Sequence, residues 1–386
     1  MTEQAPRVLH LINGEYFGGS ARVLMNYVAA STRRADVVVG VLFPGELERR
    51  LRTAGIETER IAMRGRLDIG ATRQVLRLAR RVGADLVHTH QVRNTLLGRL
   101  ASLAGGPPVI THVHSPAFRE STSTARNATT GAVDRALAGR TRRFITVSQS
   151  LAAELRRLGI AEGRIRVVPN GIPMPDPASQ EAGAALRAEF GLPAGQPVVG
   201  MVANFRPRKG TEVLIEAAAG LGRAGLPVRL LLVGEAFREG DRDYGAELAA
   251  LADRLGVADR VTFTGFRADV DRIIVGLDLF VLPSRFGEGL PMVLLEAMGA
   301  AVPVVSTPVE GIVEVIDDGA NGLLVPPNDS AALADAMRAL LENPARRAAV
   351  AARGRATVSE GYSSERMAMG FEQVYAEVAR LVQLPR

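Results

Sequence analysis

The sequence has 386 residues, 47% of them hydrophobic, and a mean hydropathy of +0.10, which describes a globular chain long enough for two domains. Its most apolar runs are only strand length, so no transmembrane helix is predicted. It has no cysteines and five histidines, which argues against a disulfide framework and against a zinc site. The beginning of the chain lacks a signal-peptide pattern, and we expect a cytoplasmic protein.

The formal net charge of +6 rests almost wholly on arginine, because Lys209 is the only lysine. A basic chain points to a polyanionic partner. Aromatic residues make up only 4% and are not gathered with the arginines, which disfavours nucleic-acid binding. Five adjacent arginine pairs lie before residue 160. Such pairs usually mark solvated helix faces, but peripheral contact of this half with the inner face of an anionic membrane stays open.

Short apolar runs alternate with amphipathic helical patterns along the chain. The first strand, at residues 7–11, is followed by Gly18-Gly19 and by a helix whose N-cap is predicted at Ser20. Further strands of the first half are predicted at residues 37–43, 85–90, 109–114, 144–148 and 164–168.

The alternation is interrupted at residues 173–190, where prolines lie among small and polar residues, and we predict an interdomain linker there. Residues 1–172 then form a first domain, residues 191–360 a second, and residues 361–386 a C-terminal helix that crosses back to the first. Strands of the second domain are predicted at residues 198–203, 229–233, 261–263, 279–282, 304–306 and 322–325.

Apolar strands separated by helices imply parallel sheets covered on both faces. The predicted fold is therefore α/β, with two doubly wound Rossmann-like domains. Ligands of such sheets bind outside the carboxyl ends of the strands. We expect the two domains to face each other across a cleft that holds the functional site.

Residues 284–296 run from a strand through a Gly-rich loop into an apolar helix that Pro291 opens. This arrangement is typical of an anion site. Glu296 lies in the middle of the apolar helix, where an ionised carboxylate needs hydrogen-bond donors. Either an arginine from elsewhere or the adjacent hydroxyls of a ribose would supply them, and this stretch alone does not decide between the two.

Two other strand ends carry features of phosphate sites. Gly18-Gly19 precede a helix, where bare N–H groups can approach a phosphate closely, although a Gly-Gly turn more often serves geometry alone. In the second half, Arg206, Arg208 and Lys209 crowd a loop before another helix. The helix dipole disfavours three cations there unless an anion is bound, so we predict an anion site.

All five histidines lie on predicted strands of the first domain. A satisfied, partly buried histidine is the commoner case, and we assign His10, His88 and His112 to it. His90 and His114 end their strands at the edge where ligands bind, so we assign them to the cleft. No carboxylate on the same edges completes a metal-ligand set, and no metal site is predicted.

These stretches resemble the retaining, nucleotide-sugar-dependent glycosyltransferases of the GT-B architecture, specifically glycosyltransferase family 4, over nearly the whole chain. The most specific element is Glu288 and Glu296 with seven residues between them, which is similar to the family's E-x7-E signature. The supporting stretches are Gly18-Gly19, Asp85-Leu86-Val87-His88-Thr89-His90, Val168-Pro169-Asn170-Gly171, Lys209-Gly210, Phe263-Thr264-Gly265-Phe266 and Asn321-Gly322-Leu323-Leu324-Val325.

The resemblance implies a donor site in the second domain. Glu296 would take the ribose hydroxyls, and Glu288 would face the donor sugar. The backbone of Gly289 and Leu290, with Pro291 in the same turn, would lie near the sugar and the diphosphate.

The resemblance also implies that Lys209 and an arginine of its loop neutralise the diphosphate leaving group, which replaces the metal of other glycosyltransferases. Where the family often has an arginine, this chain has Asn204. Arg206 is the nearest replacement, and Asn204 is kept as a donor-binding position. On the first domain, Gly18-Gly19 would support the phosphate and His114 would contact the donor sugar near the reacting carbon.

The implied function is the transfer of a sugar from a nucleoside-diphosphate sugar to a hydroxyl acceptor, with retention and with no cofactor required, by a hexosyltransferase-type enzyme of the EC 2.4 class. The acceptor class, whether a glycan, a lipid-linked molecule or a small molecule, stays open. Double displacement needs a carboxylate nucleophile beneath the anomeric carbon, whereas the resemblance places Glu288 on sugar hydroxyls, so front-face transfer is expected. The alternatives are a non-catalytic nucleotide-sugar-binding protein and a GT-B-like epimerase or phosphorylase.

Overall fold

The computed structural model describes residues 5–15, 17–32, 36–65, 68–115, 135–193, 195–239 and 242–383. The chain divides into two compact units. Unit 1 comprises residues 1–173 and 363–386, and unit 2 comprises residues 174–362. Each unit contains one parallel sheet accompanied by helices, so the prediction of two doubly wound α/β domains is confirmed.

Unit 1 is built on a seven-stranded parallel sheet in the order β3-β2-β1-β4-β5-β6-β7. Its strands are β1 (Val8–Asn13), β2 (Val37–Leu42), β3 (Glu57–Ile61), β4 (Leu86–His90), β5 (Val109–Val113), β6 (Thr141–Thr146) and β7 (Ile165–Val167). Its described helices are α1 (Gly19–Ala30), α2 (Glu46–Thr53), α3 (Ala71–Arg81), α4 (Val92–Leu103), α5 (Gln149–Arg157) and the C-terminal α13 (Ser364–Gln383). The strand order reverses between β1 and β4, which makes their carboxyl ends the switch point where doubly wound sheets bind ligands.

The composition of the strands explains this sheet. Every residue of β2 is buried, as expected for a parallel strand covered on both faces. Helix α3 covers the sheet with Val75 and Leu78 and leaves its arginines outside. The sequence analysis missed β3, which buries only Thr58 and Ile61. An edge strand with one solvated face lacks the continuous apolar run on which the prediction relied.

The C-terminal helix α13 is part of unit 1. The Tyr375 hydroxyl is hydrogen-bonded to Nδ1 of His88 at 2.7 Å. Glu377 accepts hydrogen bonds from Arg143 Nη2 at 2.7 Å and from Arg166 Nε at 2.9 Å. These contacts bind the end of the chain to strands β4, β6 and β7.

Unit 2 contains a six-stranded parallel sheet in the order β12-β9-β8-β13-β14-β15 and a short hairpin, β10-β11. Its strands are β8 (Val198–Val202), β9 (Arg229–Val233), β10 (Arg238–Glu239), β11 (Arg242–Asp243), β12 (Val261–Gly265), β13 (Leu279–Leu282), β14 (Val304–Ser306) and β15 (Leu323–Leu324). Its described helices are α6 (Gln180–Phe190), α7 (Thr211–Arg223), α8 (Tyr244–Arg254), α9 (Val270–Ile274), α10 (Met292–Gly299), α11 (Ser330–Leu341) and α12 (Pro344–Gly361). The order reverses between β8 and β13, the switch point of this sheet.

Two predicted boundaries are corrected. The segment predicted as a linker, residues 173–190, contains helix α6, which Ser179 caps by accepting a hydrogen bond from the Ala182 N–H at 3.1 Å. The prolines marked the irregular part before this helix and not the helix itself. Helix α1 begins at Gly19 with Gly18 as its N-cap, two residues before the predicted N-cap Ser20.

Within the described ranges, no helix has the length and apolar character needed to cross a bilayer. The arginine pairs considered as a membrane surface include several that are already paired with acids. Arg49 and Arg50 pair with Glu46, and Arg143 pairs with Glu377. This pairing reduces the charge that these arginines can offer to an anionic surface.

Candidate functional site

The carboxyl ends of β8 and β13 carry the residues that the sequence predicted to bind a donor. The loop after β8 leads through a short 3-10 turn, Pro207–Lys209, into α7. The loop after β13 leads into α10, whose N-cap is Pro291. Because β8 and β13 are neighbours at the switch point, the two loops lie side by side.

Lys209 and Glu288 meet between these two loops. The Lys209 ammonium is ion-paired with Oε1 of Glu288, and both side chains are largely buried, with 13% and 7% of their surface exposed. The Ser284 hydroxyl donates a hydrogen bond to the same oxygen at 2.6 Å. Two of the residues predicted to be catalytic are thus brought into direct contact.

The ion pair sets the protonation of both groups. Burial alone would raise the pKa of Glu288, but the charges of Lys209 and Arg208 and the hydrogen bonds from Lys209 and Ser284 hold that pKa below its usual value. Burial lowers the pKa of Lys209, and its attraction to Glu288 opposes that shift. Glu288 is therefore an ionised carboxylate at neutral pH.

Arg208 belongs to the predicted anion site, but the sequence analysis chose Arg206 as the phosphate-binding arginine. Its Nη1 donates a hydrogen bond to the Gly287 carbonyl at 3.0 Å and lies 3.8 Å from Glu288 Oε1. Arg206, selected instead, holds its guanidinium 4.2 Å from the centre of the Phe237 ring. Asn204 is exposed in the same loop. Sequence spacing identified the basic loop, but which arginine turns toward Glu288 depends on the conformation of the 3-10 turn.

Glu310 is a site residue that the sequence analysis missed. Its Oε2 accepts hydrogen bonds from the backbone N–H groups of Gly287, at 2.9 Å, and Glu288, at 3.2 Å. Its backbone φ is +28°, a value that non-glycine residues rarely adopt. A strained residue that holds a site loop has the pattern of a functional constraint.

The other residues of the predicted donor segment lie along the same loop and helix. Gly289, Leu290 and Pro291 are buried, and Glu296 is half-buried on α10. Glu288 and Glu296 therefore belong to one continuous segment, at the loop and in the second turn of the helix.

Gly210 fixes the position of the basic turn. Its φ is +68°, and a Cβ placed on it would lie 2.2 Å from the Pro283 carbonyl oxygen. The backbone after Lys209 and the backbone after β13 therefore approach more closely than a side chain allows.

In unit 1, Gly18 and Gly19 begin helix α1. Both are exposed, Gly18 has φ −100°, and a Cβ on either would meet nothing within 4 Å. Neither turn geometry nor internal packing requires glycine at these positions. Absence of a side chain leaves the first N–H groups of α1 open to close approach by a ligand.

A polar network that was not predicted lies at the switch point of unit 1. Gln91, which follows β4, has φ +69° and donates a hydrogen bond to the Ser20 hydroxyl at 2.7 Å. Its Oε1 accepts from the Asn13 N–H at 3.1 Å and from Asn94 Nδ2 at 2.9 Å. The only sequence signal was the run of polar residues directly after the strand.

The five histidines form a single cluster. His114 lies one residue after β5 and is half-buried, while His10, His88, His90 and His112 are fully or almost fully buried. The assignment of His90 to a ligand-facing position is therefore corrected, because its side chain lies beneath His114. The alternation of side chains along each strand predicts that His88 and His90 share one side of the sheet, as do His112 and His114. It does not predict that all five histidines converge.

Burial determines the charge of this cluster. It lowers the pKa of His10 and of His114 to about 3. Burial and the neighbouring imidazoles lower the pKa of His88, His90 and His112 well below the usual value. All five rings are neutral at pH 7. Their ligand atoms form two trios within 4.8 Å, His10-His88-His90 and His90-His112-His114.

Comparison with known proteins identifies the family. The model of Glycosyltransferase Family 4 matches residues 17–174, and that of Glycosyl transferases group 1 matches residues 184–357. A 2-deoxystreptamine glucosyltransferase from Streptomyces kanamyceticus is 32% identical over 71% of this chain and 73% of that protein. The chain belongs to glycosyltransferase family 4. The family predicted from the sequence is confirmed.

Two further comparisons agree with this assignment. A D-inositol 3-phosphate glycosyltransferase from Nocardia farcinica is 33% identical over 67% of this chain, and the match spans only 58% of that relative. The crystal structure of Anabaena Alr3699/HepE in complex with UDP and glucose has a TM-score of 0.86 and 25% identity, covering 96% of this chain and all of that chain. The GT-B fold is thereby confirmed.

Proposed function

We propose that this glycosyltransferase moves a sugar from a nucleoside-diphosphate sugar to a hydroxyl acceptor with retention of configuration and without a metal ion. The observation that carries this proposal is the buried pair of Lys209 and Glu288 at the switch point of unit 2. A cation and a carboxylate side by side at the carboxyl ends of β8 and β13 suit a ligand that has both a diphosphate and sugar hydroxyls.

The cations of the loop after β8 would stabilise the leaving group. As the glycosidic bond breaks, negative charge develops on the diphosphate, and preorganised cations lower the barrier for that step. Lys209 supplies one charge, and Arg208, fixed against Gly287, is better placed than Arg206 to supply a second. Two such cations do the work that a divalent metal does elsewhere, and this supports metal independence.

Retention would follow a front-face path. Lys209, Ser284 and Arg208 all contact Oε1 of Glu288, and a carboxylate stabilised by two cations is a weak nucleophile. We assign Glu288 to the hydroxyls of the donor sugar and the deprotonation of the acceptor to the leaving phosphate. Positioning and electrostatics would supply most of the rate.

Unit 1 would supply the remaining contacts. The N–H groups at Gly18 and Gly19 would support the phosphate, His114 would contact the donor sugar, and the acceptor would bind mainly to this unit. We assign the nucleotide ribose to Glu296. The reaction would take place in the cytoplasm, since a chain without cysteines neither needs nor uses an oxidising compartment.

The experiment is a screen of UDP-sugars first, because the neighbour of known structure holds UDP and glucose, with D-inositol 3-phosphate and 2-deoxystreptamine among the acceptors. Acceptor-dependent release of UDP, with and without EDTA, tests transfer and metal independence, and the NMR coupling constant of the anomeric proton tests retention. Binding of the nucleotide sugar without turnover on any acceptor supports a binding protein instead. Epimerised donor supports an epimerase, and phosphate-dependent cleavage of a glycoside supports a phosphorylase.

A further inference from the structure

Behind His114, a continuous line of hydrogen bonds runs into the interior of unit 1. Nε2 of His114 is 2.9 Å from Nδ1 of His90, and Nε2 of His90 is 3.2 Å from Nδ1 of His10. Nε2 of His10 is 3.4 Å from the Tyr375 hydroxyl, which is 2.7 Å from Nδ1 of His88. This line of hydrogen bonds joins the residue that follows β5 to β4, β1 and α13.

The geometry couples the tautomers of three rings. A neutral imidazole has one N–H and one lone pair. If His90 carries its hydrogen on Nδ1, it donates to His114 Nε2 and accepts at Nε2 from His10 Nδ1, so all three rings are Nδ1–H. If His90 carries it on Nε2, all three rings are Nε2–H. No mixed arrangement keeps both hydrogen bonds.

The hydroxyl at the inner end of this line of hydrogen bonds is compatible with either state. In the Nδ1–H state the Tyr375 hydroxyl donates to His10, and in the Nε2–H state it accepts from His10. Because Nε2 of His114 is committed to His90, Nδ1 is the nitrogen that a ligand meets. The tautomeric state shared by these three rings therefore decides whether Nδ1 of His114 acts as a hydrogen-bond donor or as an acceptor toward a ligand.

A metal site explains the cluster less well. The lone pairs of imidazole lie in the ring plane, so a metal requires ring planes that converge on it. His112 and His114 are instead stacked at 3.9 Å with an interplanar angle of 24°, and His88 and His90 are stacked at 4.5 Å and 27°. A metal in either trio would also break the hydrogen bonds between the rings.

We propose that His90, His10 and Tyr375 are positioning residues that fix the orientation and the tautomer of His114. The inference rests on the proposed function for the role of His114 toward the donor sugar. The coupling itself is a property of the ligand-free protein, and it is tested without any substrate. A phosphate-bearing donor favours the Nδ1–H state, because His114 then presents a donor to negative charge.

The test is long-range ¹H–¹⁵N NMR of the full chain labelled with ¹⁵N-histidine at pH 8, which distinguishes the two tautomers of each ring. We expect His10, His90 and His114 to report one common tautomer. Tyr375→Phe removes the inner hydroxyl, and a buried N–H without an acceptor costs more than a buried lone pair. All three rings, including the distant His114, should then be Nδ1–H.

Two further variants complete the test. His90→Phe interrupts the chain, and His114 should lose its common tautomer with His10. His112→Phe is the matched control, since it alters an equally buried ring stacked on His114 and should leave the tautomers unchanged. Different tautomers at His10 and His114 in the unmodified protein, an unchanged His114 spectrum in His90→Phe, or stoichiometric zinc binding at micromolar concentration would each overturn the proposal. If the coupling is observed but no sugar nucleotide is turned over, the proposed function fails and this inference stands.

Discussion

The Lys209 ammonium is ion-paired with the Glu288 carboxylate at the switch point of unit 2, and both groups are largely buried. Removing one partner of such a pair leaves an uncompensated charge, which typically costs about 3–5 kcal/mol. We expect Lys209→Met and Glu288→Gln each to lower the free energy of unfolding by that order and to lower turnover by about 100-fold or more. Urea unfolding and initial-rate kinetics measure the two effects.

The double variant Lys209→Met/Glu288→Gln separates stability from catalysis. With both charges removed it should be more stable than the sum of the single effects predicts, because the two residues are in contact. Its turnover should stay as low as that of the single variants. Recovery of turnover together with stability would show that the pair is only structural.

The Glu310 carboxylate holds the loop that carries Glu288, through the N–H groups of Gly287 and Glu288. Glu310→Ala removes both hydrogen bonds, and we expect the donor KM to rise about 10-fold or more, since the loss of even one net hydrogen bond of a charged acceptor costs about 1.5 kcal/mol. Glu310→Gln keeps an acceptor oxygen, and its donor KM should lie between that of the unmodified enzyme and that of Glu310→Ala. A donor KM in Glu310→Ala equal to that of the unmodified enzyme would contradict the role of Glu310 in ordering the loop.

The close approach at Gly210 provides a third prediction. Gly210→Ala places a Cβ against the Pro283 carbonyl in a backbone conformation with φ +68°. We expect a loss of more than about 2 kcal/mol of stability and a marked loss of turnover, because the turn that ends at Lys209 must move. Circular dichroism melts and initial rates measure both.

Gly220→Ala is the matched control, since Gly220 lies in the interior of α7 and a Cβ there meets only a distant arginine atom. It should gain about 0.5–1 kcal/mol from the higher helix propensity of alanine, with unchanged turnover. Equal stability of the Gly210→Ala and Gly220→Ala variants would show that the backbone at Gly210 adapts freely.

The alternation of apolar strands and amphipathic helices was sufficient to predict the architecture, because burial on both faces imposes a continuous apolar run on each central strand. The prediction failed for segments that are not buried on both faces. The edge strand β3 is half-solvated, and helix α6 follows a proline-rich stretch that looks like a linker. Local composition reports the burial of a segment, and both errors occur where burial is partial.

The site shows a similar division. Lys209 and Glu288 stand out in the sequence as the only lysine and a carboxylate in a glycine-rich loop. Glu310 does not stand out, and Arg208 stands out only as one of three cations in its loop, because the roles of both depend on contacts between loops that lie 23 and 79 residues apart in the sequence. His90 was misassigned since strand position shows which edge a residue approaches but not what lies above it.

The histidine cluster makes unit 1 sensitive to mild acid. The folded-state pKa values of the histidines lie well below 6.5, so below pH 6.5 the unfolded chain binds protons that the folded chain does not. Stability is then full above pH 6.5 and is lost as the pH falls. Each buried histidine that stays neutral in the folded chain withdraws about 1.4 kcal/mol of stability per pH unit below 6.5, so several such rings together withdraw a substantial part of the stability of a domain.

We therefore expect unit 1 to unfold at a higher pH than unit 2, which has no histidine, as the solution is acidified. Pulsed hydrogen exchange with mass spectrometry on the intact chain follows the two units separately, through peptides that contain β1 and β4 and peptides that contain β8 and β13. His112→Leu removes one titrating ring whose nitrogens have no hydrogen-bond partner among the described residues. It should reduce the pH dependence of stability by about 1.4 kcal/mol per pH unit. Full protection of β1 and β4 at pH 4 would mean that the cluster accepts protons in the folded state.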